Sequence, residues 1–232
     1  MPLGNGGPIV TFSFDDFPKS ALTNGASIIE RYGGRATYYV AMGLMDQENN
    51  LGEQFHAADL VSLIERGHEV ANHTFSHCSA QQTPFQLFKR DVYRCEQALR
   101  ESIAGAPSNN FAYPYGEVTL AAKRRLGPQM QSCRGTCGGL NGPQVDLNLL
   151  RANNLYGDIA AAEAAKQLIL ENESRKTWLI FYSHDVAERP SCFGCTPSLL
   201  EAVASFAAER GTRMMTVADV VAELYSTGEI SS

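Results

Sequence analysis

The sequence predicts one α/β domain built on a mainly parallel β-sheet. Strand and helix patterns alternate about seven times along the 232 residues, without an internal repeat or a linker. The chain is slightly shorter than the ~250 residues typical of an eightfold barrel, so an incomplete barrel fits its length. A doubly wound open sheet fits the same alternation. Polar residues directly follow several predicted strands, as in barrels whose strand ends share one site, and this favours the barrel.

The first half of the chain contains four predicted strands, each followed by a helix. Apolar residues recur at helical spacing between residues 20 and 32, and Gly33 and Gly34 end that helix. Residues 35–40 are β-branched and aromatic, which is typical of a buried strand. A polar loop runs from there to about residue 53. We expect strands at 9–14, 35–40, 68–72 and 110–113, and helices at 20–32, 57–66, 84–102 and 120–126.

The second half is less regular at its start. Between residues 129 and 156 the pattern predicts short strands at most, near Ser132 and Leu149. Asp158 is placed to cap the N-terminus of a helix that runs to about Asn172. An apolar strand over residues 178–182 then leads into a polar segment. The remaining predicted elements are a helix at 197–210, a strand at 213–216 and a closing helix at 217–225.

Composition excludes several classes of protein. A net charge of -6 and the lack of a basic stripe argue against nucleic-acid binding. No apolar run approaches the ~20 residues of a membrane span. The first residues show neither a basic segment nor an apolar core of a secretory leader, so we expect a cytoplasmic location as the default. The sequence makes no prediction about oligomeric state.

Six cysteines include two close pairs, Cys133 with Cys137 and Cys192 with Cys195. Two such pairs are compatible with a four-thiolate structural zinc site or with two disulfides. We favour reduced thiols in loops and core, as is usual for a cytosolic protein.

Two segments carry candidate metal ligands. His73 and His77 are four residues apart, so on a helical turn their imidazoles would share one face. Asp15 and Asp16 follow the first predicted strand. Two imidazoles, one carboxylate and an open position are typical of a catalytic zinc site, and the second carboxylate is then free to act as a base.

Each feature alone has an ordinary structural interpretation. Adjacent aspartates commonly lie at the start of a helix, and a single H-x-x-x-H is moderate support for a metal site. His184, at the end of an apolar strand, would more often be a buried histidine than a catalyst. Tyr113-Pro114-Tyr115-Gly116 alone is a turn. These four features in fixed order, each at a strand end, together indicate one functional site.

These motifs resemble those of the polysaccharide deacetylases of the NodB-homology type, carbohydrate esterase family 4, over essentially the whole chain. The family's first motif, T-F-D-D, matches Phe14-Asp15-Asp16 preceded by Ser13, and its second, H-[ST]-x-x-H, matches residues 73–77 at every specified position. Its third, R-x-P-Y, matches Pro114-Tyr115, and its fifth matches loosely the strand from Leu179 to His184.

The resemblance implies a distorted (β/α)7 barrel of the NodB-homology type, with residues 1–232 as a single domain. It implies that Asp16, His73 and His77 bind a metal ion, usually zinc (Zn²⁺), although Co²⁺, Ni²⁺ or Fe²⁺ suits the same ligands. By the same resemblance, Asp15 is the catalytic base, His184 is the catalytic acid, and the backbone N–H of Tyr115 binds the oxyanion.

The chain departs from the family pattern in two places. Ala112 occupies the position of the arginine that tethers the base, and the fourth motif, whose aspartate poises the acid, is not recognisable. Arg134 and Arg151 are candidate replacements for the arginine. Candidates for orienting the acid are Asp146 and Asp185.

The implied activity is hydrolytic removal of N-acetyl groups from an N-acetylglucosamine-type polysaccharide or oligosaccharide. Two alternatives stay open: hydrolysis of a small cyclic amide or another non-peptide C–N bond at the same site, and a carbohydrate-binding relative without turnover. The expected partner is a carbohydrate substrate. Candidate substrate-binding residues are Tyr113, Pro114, Arg134, Arg151 and Leu179, and the candidate aromatic contacts are Tyr38, Tyr39, Phe75, Tyr113, Tyr115, Tyr156 and Phe193.

Overall fold

The computed structural model describes residues 7–103, 107–142 and 144–226. Its central element is β1, whose eight residues are all buried. In the described ranges the strands are β1 (Ile9–Asp16), β2 (Ala36–Val40), β3 (Glu48–Asn49), β4 (Gly52–Glu53), β5 (Glu69–Asn72), β6 (Asn110–Ala112), β7 (Ser132–Arg134), β8 (Asn153–Asn154), β9 (Trp178–Ser183) and β10 (Arg213–Met214).

Helices cover the outer face of the sheet. Their bounds are α1 (Ser27–Arg31), α2 (Ala57–Glu65), α3 (Phe85–Ser102), α4 (Leu120–Arg125), α5 (Ala162–Arg175), α6 (Pro197–Glu209) and α7 (Val217–Ser226). None of these helices combines the length and apolar character needed to cross a membrane.

The large sheet has the order β7-β6-β5-β2-β1-β9-β8, and all of its pairs are parallel. Residues 147–154 link its two edges. Leu147 and Leu150 exchange backbone hydrogen bonds of 2.7 Å with Cys133 in β7, and a few residues later β8 pairs with β9. The sheet therefore curls into a distorted barrel, as predicted.

The two faces of the sheet pack against different partners. Val10, Phe12 and Phe14 of β1 belong to the main apolar core, which includes residues of the covering helices. Ile9 belongs to an inner cluster that includes residues of β2, β9 and α7. Since β10 pairs with the start of β1 and is followed directly by α7, this helix fills the end of the barrel at which β1 begins. The carboxyl ends of the strands lie at the opposite end of the barrel, which α7 does not cover.

The predicted elements are present, with their ends shifted by a few residues. The helix predicted at 20–32 begins as a π-helix, Ala21–Ala26, and becomes α-helical only at Ser27. The polar loop before residue 53 contains the antiparallel hairpin of β3 and β4, which the sequence pattern did not predict. The irregular segment between residues 129 and 156 contains the short strands β7 and β8. Pairing with neighbouring strands, rather than a strong sequence pattern, determines their positions.

The cysteines are free thiols. In both close pairs one member is buried and the other is exposed: Cys133 and Cys195 are inside, whereas Cys137 and Cys192 are at the surface. Neither pair forms the disulfide that the spacing allowed, and among the described residues they form no metal-ligand cluster.

Candidate active site

Three predicted metal ligands meet at the open end of the barrel. Asp16 ends β1, and His73 directly follows β5. The Oδ1 atom of Asp16 lies 3.6 Å from Nε2 of His73 and 3.2 Å from Nε2 of His77. Asp16, His73 and His77 are the only group of His, Cys, Asp or Glu in the described ranges that is arranged to hold a metal ion.

The spacing of these atoms fits a tetrahedral ion. Two ligand atoms at ~2.1 Å from a tetrahedral zinc ion lie about 3.4 Å apart, which is between the two distances observed. The Nδ1 atom of His73 donates to the carbonyl oxygen of Ala112 at 2.8 Å, and this contact turns Nε2 toward Asp16. Oδ1 of Asp16 is buried and has no hydrogen-bond partner. An orphaned carboxylate oxygen between two imidazoles is suited to bind a cation.

The charges in this group also favour a cation. Burial lowers the pKa of His73 to about 3 and lowers that of His77, so both imidazoles are neutral near pH 7. Burial raises the pKa of Asp16 to about 6. Two neutral imidazoles do not compensate a buried carboxylate, and a bound divalent ion would.

The prediction that His73 and His77 share a helical turn is wrong. Residues 73–77 form an irregular loop in which Thr74 and His77 have φ angles of 63° and 51°. The carboxylate of Asp91 in α3 fixes this loop by accepting from the backbone N–H groups of Phe75 at 3.0 Å and Ser76 at 2.9 Å. The loop thus brings together the two imidazoles that a helix was expected to align.

Unfavourable backbone conformations are concentrated here. Seven non-glycine residues in the described ranges have positive φ, and five of them lie in segments that border the site: Asp16, Phe17, Thr74, His77 and Tyr115. Such conformations cost about 1–3 kcal/mol each and persist where surrounding contacts impose them, most often at functional sites.

Asp15 lies beside the ligand group and is held by an arginine from the second half. Nη2 of Arg134 donates to Oδ1 and Oδ2 of Asp15, each at 2.6 Å, and both side chains are buried. Burial, the largest single influence, raises the pKa of Asp15, but the Arg134 guanidinium together with His73 and His184 outweighs it, and the pKa lies below its ordinary value. Arg134 therefore supplies the guanidinium that Ala112 cannot, from the neighbouring strand.

His184 faces the same cavity from the end of β9. Its Nδ1 lies 3.1 Å from the carbonyl oxygen of Phe193, so this nitrogen donates and Nε2 is left for the cavity. Neither predicted carboxylate contacts it. Asp146 accepts from Lys123, and Asp185 accepts from Ser191.

These residues line one cavity of about 450 Å³. Tyr115 and Phe193 line this cavity and are 64% and 46% exposed. The Tyr115 ring packs 4.5 Å from the His77 ring, centroid to centroid. The complete lining is Asp15, Asp16, Leu44, Asn49, Asn50, Leu51, His73, His77, Tyr115, Gly116, Thr136, Tyr156, Tyr182, His184 and Phe193.

None of the five predicted substrate-binding residues lines this cavity. Tyr113, Pro114 and Leu179 are buried and pack in the interior, so a substrate cannot reach them. Arg151 is exposed and donates to the carbonyl oxygen of Gly138 instead. Arg134, the fifth, is buried behind Asp15 rather than open to the cavity.

The aromatic candidates divide in the same way. Tyr38, Tyr39 and Tyr113 are core residues, whereas Tyr115, Tyr156 and Phe193 line the cavity. Phe75 packs under the guanidinium of Arg94.

Sequence reasoning missed the contribution of the β3–β4 hairpin and of Thr136. Asn49, Asn50 and Leu51 form one wall of the cavity. The Asn-Asn-Leu-Gly run at residues 49–52 is a turn signal in a polar loop, which would have suggested a hairpin but not its position over the site.

Comparison with known proteins identifies the family of this chain. A model of the polysaccharide deacetylase family matches residues 4–129, more than half of the chain, and the chain belongs to this family. It is similar to chitooligosaccharide deacetylase of Sinorhizobium fredii, with 26% identity over 114 residues, which are 49% of each protein. The chain spans half or less of the length of the curated relatives it matches.

Solved structures share the fold. A putative polysaccharide deacetylase from Mycobacterium smegmatis superposes with a TM-score of 0.68 at 13% identity, over 97% of this chain and 93% of that one. A family 4 acetyl xylan esterase from Clostridium thermocellum, solved with a cobalt ion, gives a TM-score of 0.61 at 20% identity, over 95% and 92%. The predicted NodB-type (β/α)7 barrel is therefore confirmed.

Proposed function

We propose that this protein is a metal-dependent hydrolase that removes N-acetyl groups from an N-acetylglucosamine-type oligosaccharide or polysaccharide. One observation carries the proposal: a three-ligand group with an orphaned carboxylate oxygen shares a cavity with a tethered second carboxylate and a half-buried histidine. Family membership supports deacetylation as the reaction.

Asp16, His73 and His77 would hold the ion, with zinc first and cobalt, nickel or iron(II) as alternatives for the same donors. When bound, a divalent ion lowers the pKa of water toward 7 and polarises an acyl carbonyl. The similar acetyl xylan esterase structure contains cobalt, which supports a transition metal here.

The other residues divide the proton transfers between them. Asp15 takes a proton from the attacking water with a lone pair that Arg134 does not use, and such a step contributes ~10²–10⁴-fold. The N–H of Tyr115 donates to the carbonyl oxygen as it becomes anionic, worth about 3 kcal/mol. His184 in its imidazolium form, with Nδ1 donating to the Phe193 carbonyl, then gives the proton on Nε2 to the leaving nitrogen, because an amine does not leave as an anion. The proton taken up by Asp15 returns to solvent, and His184 regains a proton from solvent.

The exposed aromatics support a sugar substrate. Tyr115 and Phe193 line the cavity with exposed rings, one packed beside His77 and the other beside His184. Sugar rings bind to the faces of such aromatic rings through their C–H surfaces, with polar groups such as those of Asn49 and Asn50 for their hydroxyls. The chitooligosaccharide deacetylase similar to this chain supports an N-acetylated amino sugar.

Metal content tests the ligand assignment. We expect about one metal ion per wild-type chain and almost none in Asp16→Ala, with activity lower by about 10³-fold or more because a metal contributes several kcal/mol. Asp219→Ala, the matched change in the first turn of α7 at the opposite end of the barrel, should bind metal like the wild type. Equal metal content in wild type and Asp16→Ala would show that the assignment is wrong.

Acetate release separates the proposed reaction from its alternatives. Wild-type protein should release acetate from N-acetylated chitooligosaccharides, and Asp15→Asn should lose about 10²–10⁴-fold in kcat while keeping its metal. Turnover of small cyclic amides but not of sugars would favour the alternative hydrolase. Binding of the sugars without turnover in either protein would identify a carbohydrate-binding relative.

A further inference from the structure

The contact that orients His184 comes from a loop that follows it. The carbonyl oxygen of Phe193 accepts from the backbone N–H of His184 at 3.2 Å and from its Nδ1 at 3.1 Å. A carbonyl can only accept, so Nδ1 carries a proton. The position of this one carbonyl therefore decides which imidazole nitrogen faces the cavity.

A buried carboxylate fixes the loop that carries this carbonyl. Asp185 is 4% exposed. Its carboxylate accepts from the backbone N–H of Ser191 at 2.8 Å and from the Ser191 hydroxyl at 2.5 Å. The same hydroxyl accepts from the N–H of Phe193 at 3.1 Å. A continuous chain of hydrogen bonds thus runs from Asp185 to the peptide group beside the His184 contact.

Glycine at position 194 allows this arrangement. A Cβ added to Gly194 would lie 2.3 Å from Oδ1 of Asp185, closer than any side chain tolerates. The loop is tied on its other side as well, because Gly157 donates to the carbonyl oxygen of Gly194 at 2.9 Å. Gly157 follows Tyr156, which forms another wall of the cavity. The loop is consequently held from both sides.

We propose that Asp185 is a positioning residue which, through Ser191 and the Phe193 carbonyl, fixes His184 with its proton on Nδ1 and Nε2 toward the substrate. The family's missing fourth-motif carboxylate is thus replaced by a backbone carbonyl that a different carboxylate holds in place. The catalytic consequence rests on the proposed function, but the fixed tautomer does not.

The tautomer is measured by ¹⁵N NMR of protein labelled at its five histidines, with His184 assigned from the signal lost in His184→Gln. Wild-type protein should show neutral His184 protonated at Nδ1. Asp185→Ala should shift the proton toward Nε2 and lower kcat by about 10- to 100-fold, with KM changed less than threefold, because small misplacements of catalytic groups are costly. Asp185→Asn keeps an acceptor for the Ser191 N–H and should partly restore both.

Ser191→Ala, a milder change, should move both readouts in the same direction and decides the matter if Asp185→Ala does not fold. Asp219→Ala is the matched control. The proposal is overturned if wild-type His184 carries its proton on Nε2, or if folded Asp185→Ala and Ser191→Ala keep the wild-type tautomer. If the tautomer shifts but the wild type deacetylates nothing, the proposed function fails and the positioning role of Asp185 stands.

Discussion

The two halves of the chain contribute to the site in different ways. Residues 7–129 carry the segments that match the family, and from them come the candidate metal ligands, together with Asp15 and Tyr115. Residues 130–226 carry few recognisable motifs, yet they supply Arg134 and His184. They also supply three aromatic residues of the cavity lining, Tyr156, Tyr182 and Phe193. The ligands depend on short segments with unusual backbone conformations, whereas the second half contributes through contacts between distant residues.

The curled sheet makes the second contribution possible. Arg134 ends β7, which lies four strands away from β1 along the sheet. Only because the sheet closes on itself does its guanidinium reach Asp15, 119 residues earlier in the chain. A local motif therefore cannot encode this contact.

The strongest way to break the link between the halves is to remove Arg134. Arg134→Met leaves the Asp15 carboxylate buried without a partner, so we expect the free energy of unfolding to fall by about 3–5 kcal/mol. Denaturant unfolding of metal-free protein measures this change. Adding Asp15→Asn should recover most of the loss, because the uncompensated charge is then gone.

Arg151→Met is the matched control, since its guanidinium is exposed and contacts only a backbone carbonyl. It should change the free energy of unfolding by about 0.5 kcal/mol or less. If Arg134→Met were as stable as Arg151→Met, or if Asp15→Asn failed to rescue it, the tether between the halves would not be the energetic link that the geometry indicates.

Sequence alone predicted the fold class, most elements and the ligand group, because these depend on local patterns: apolar periodicity, and polar residues placed directly after strands. It did not predict how the ligands are presented. The helical turn expected for His73 and His77 is replaced by a loop whose positive φ angles depend on Asp91 in α3. That contact joins residues 16 positions apart in different elements, which a pattern within residues 73–77 does not show.

The substrate side was predicted least well, since exposure depends on tertiary packing. Tyr113 and Tyr115 are two residues apart, yet one is buried and the other is exposed at the cavity. Leu179 was chosen because it matches a motif position. Alternate residues of β9 pack on opposite faces of the sheet, and this alternation does not indicate which of them contacts a substrate. Arg134 and Arg151 were indistinguishable in the sequence, and only the closure of the barrel separates them.

A smaller effect is expected where the backbone of the first half meets a side chain of the second. Gly116 has a φ of 68°, and a Cβ added there would lie 1.9 Å from Oγ1 of Thr136. Gly116→Ala should lower the free energy of unfolding by about 2–3 kcal/mol, since backbone strain and overpacking combine. It should also lower kcat, because it displaces the neighbouring Tyr115 N–H.

Gly33→Ala separates the two causes. Gly33 has a φ of 77° and no atoms within 4 Å of an added Cβ, so this change should cost only the conformational part, about 1 kcal/mol. The difference between the two variants measures the contact with Thr136. Equal costs, or no recovery in Gly116→Ala combined with Thr136→Gly, would show that this contact does not constrain the oxyanion segment.

The smallest effect is expected for an ion pair within the first half, which tests whether burial makes the Asp15–Arg134 pair different. Hydrogen bonds from Arg66, and also one from His68, lower the pKa of Glu30 from 4.5 to about 2. Both Arg66 contacts are 2.8 Å, but the side chains of Glu30 and Arg66 are 27% and 30% exposed. Glu30→Gln should therefore lower the free energy of unfolding by only about 0.5–1 kcal/mol at pH 7.

The contribution of Glu30 to stability should depend on pH in a defined direction. The pKa of Glu30 is lower in the folded state, so its stabilising contribution is present above pH 4.5 and is lost as the pH falls toward about 2. The difference in stability between wild type and Glu30→Gln should accordingly shrink over this range, as followed by denaturant unfolding at each pH. A difference that stayed constant with pH would mean that the Glu30 charge contributes nothing. A difference as large as that of Arg134→Met would remove the contrast between a solvated pair and the buried one that joins the halves.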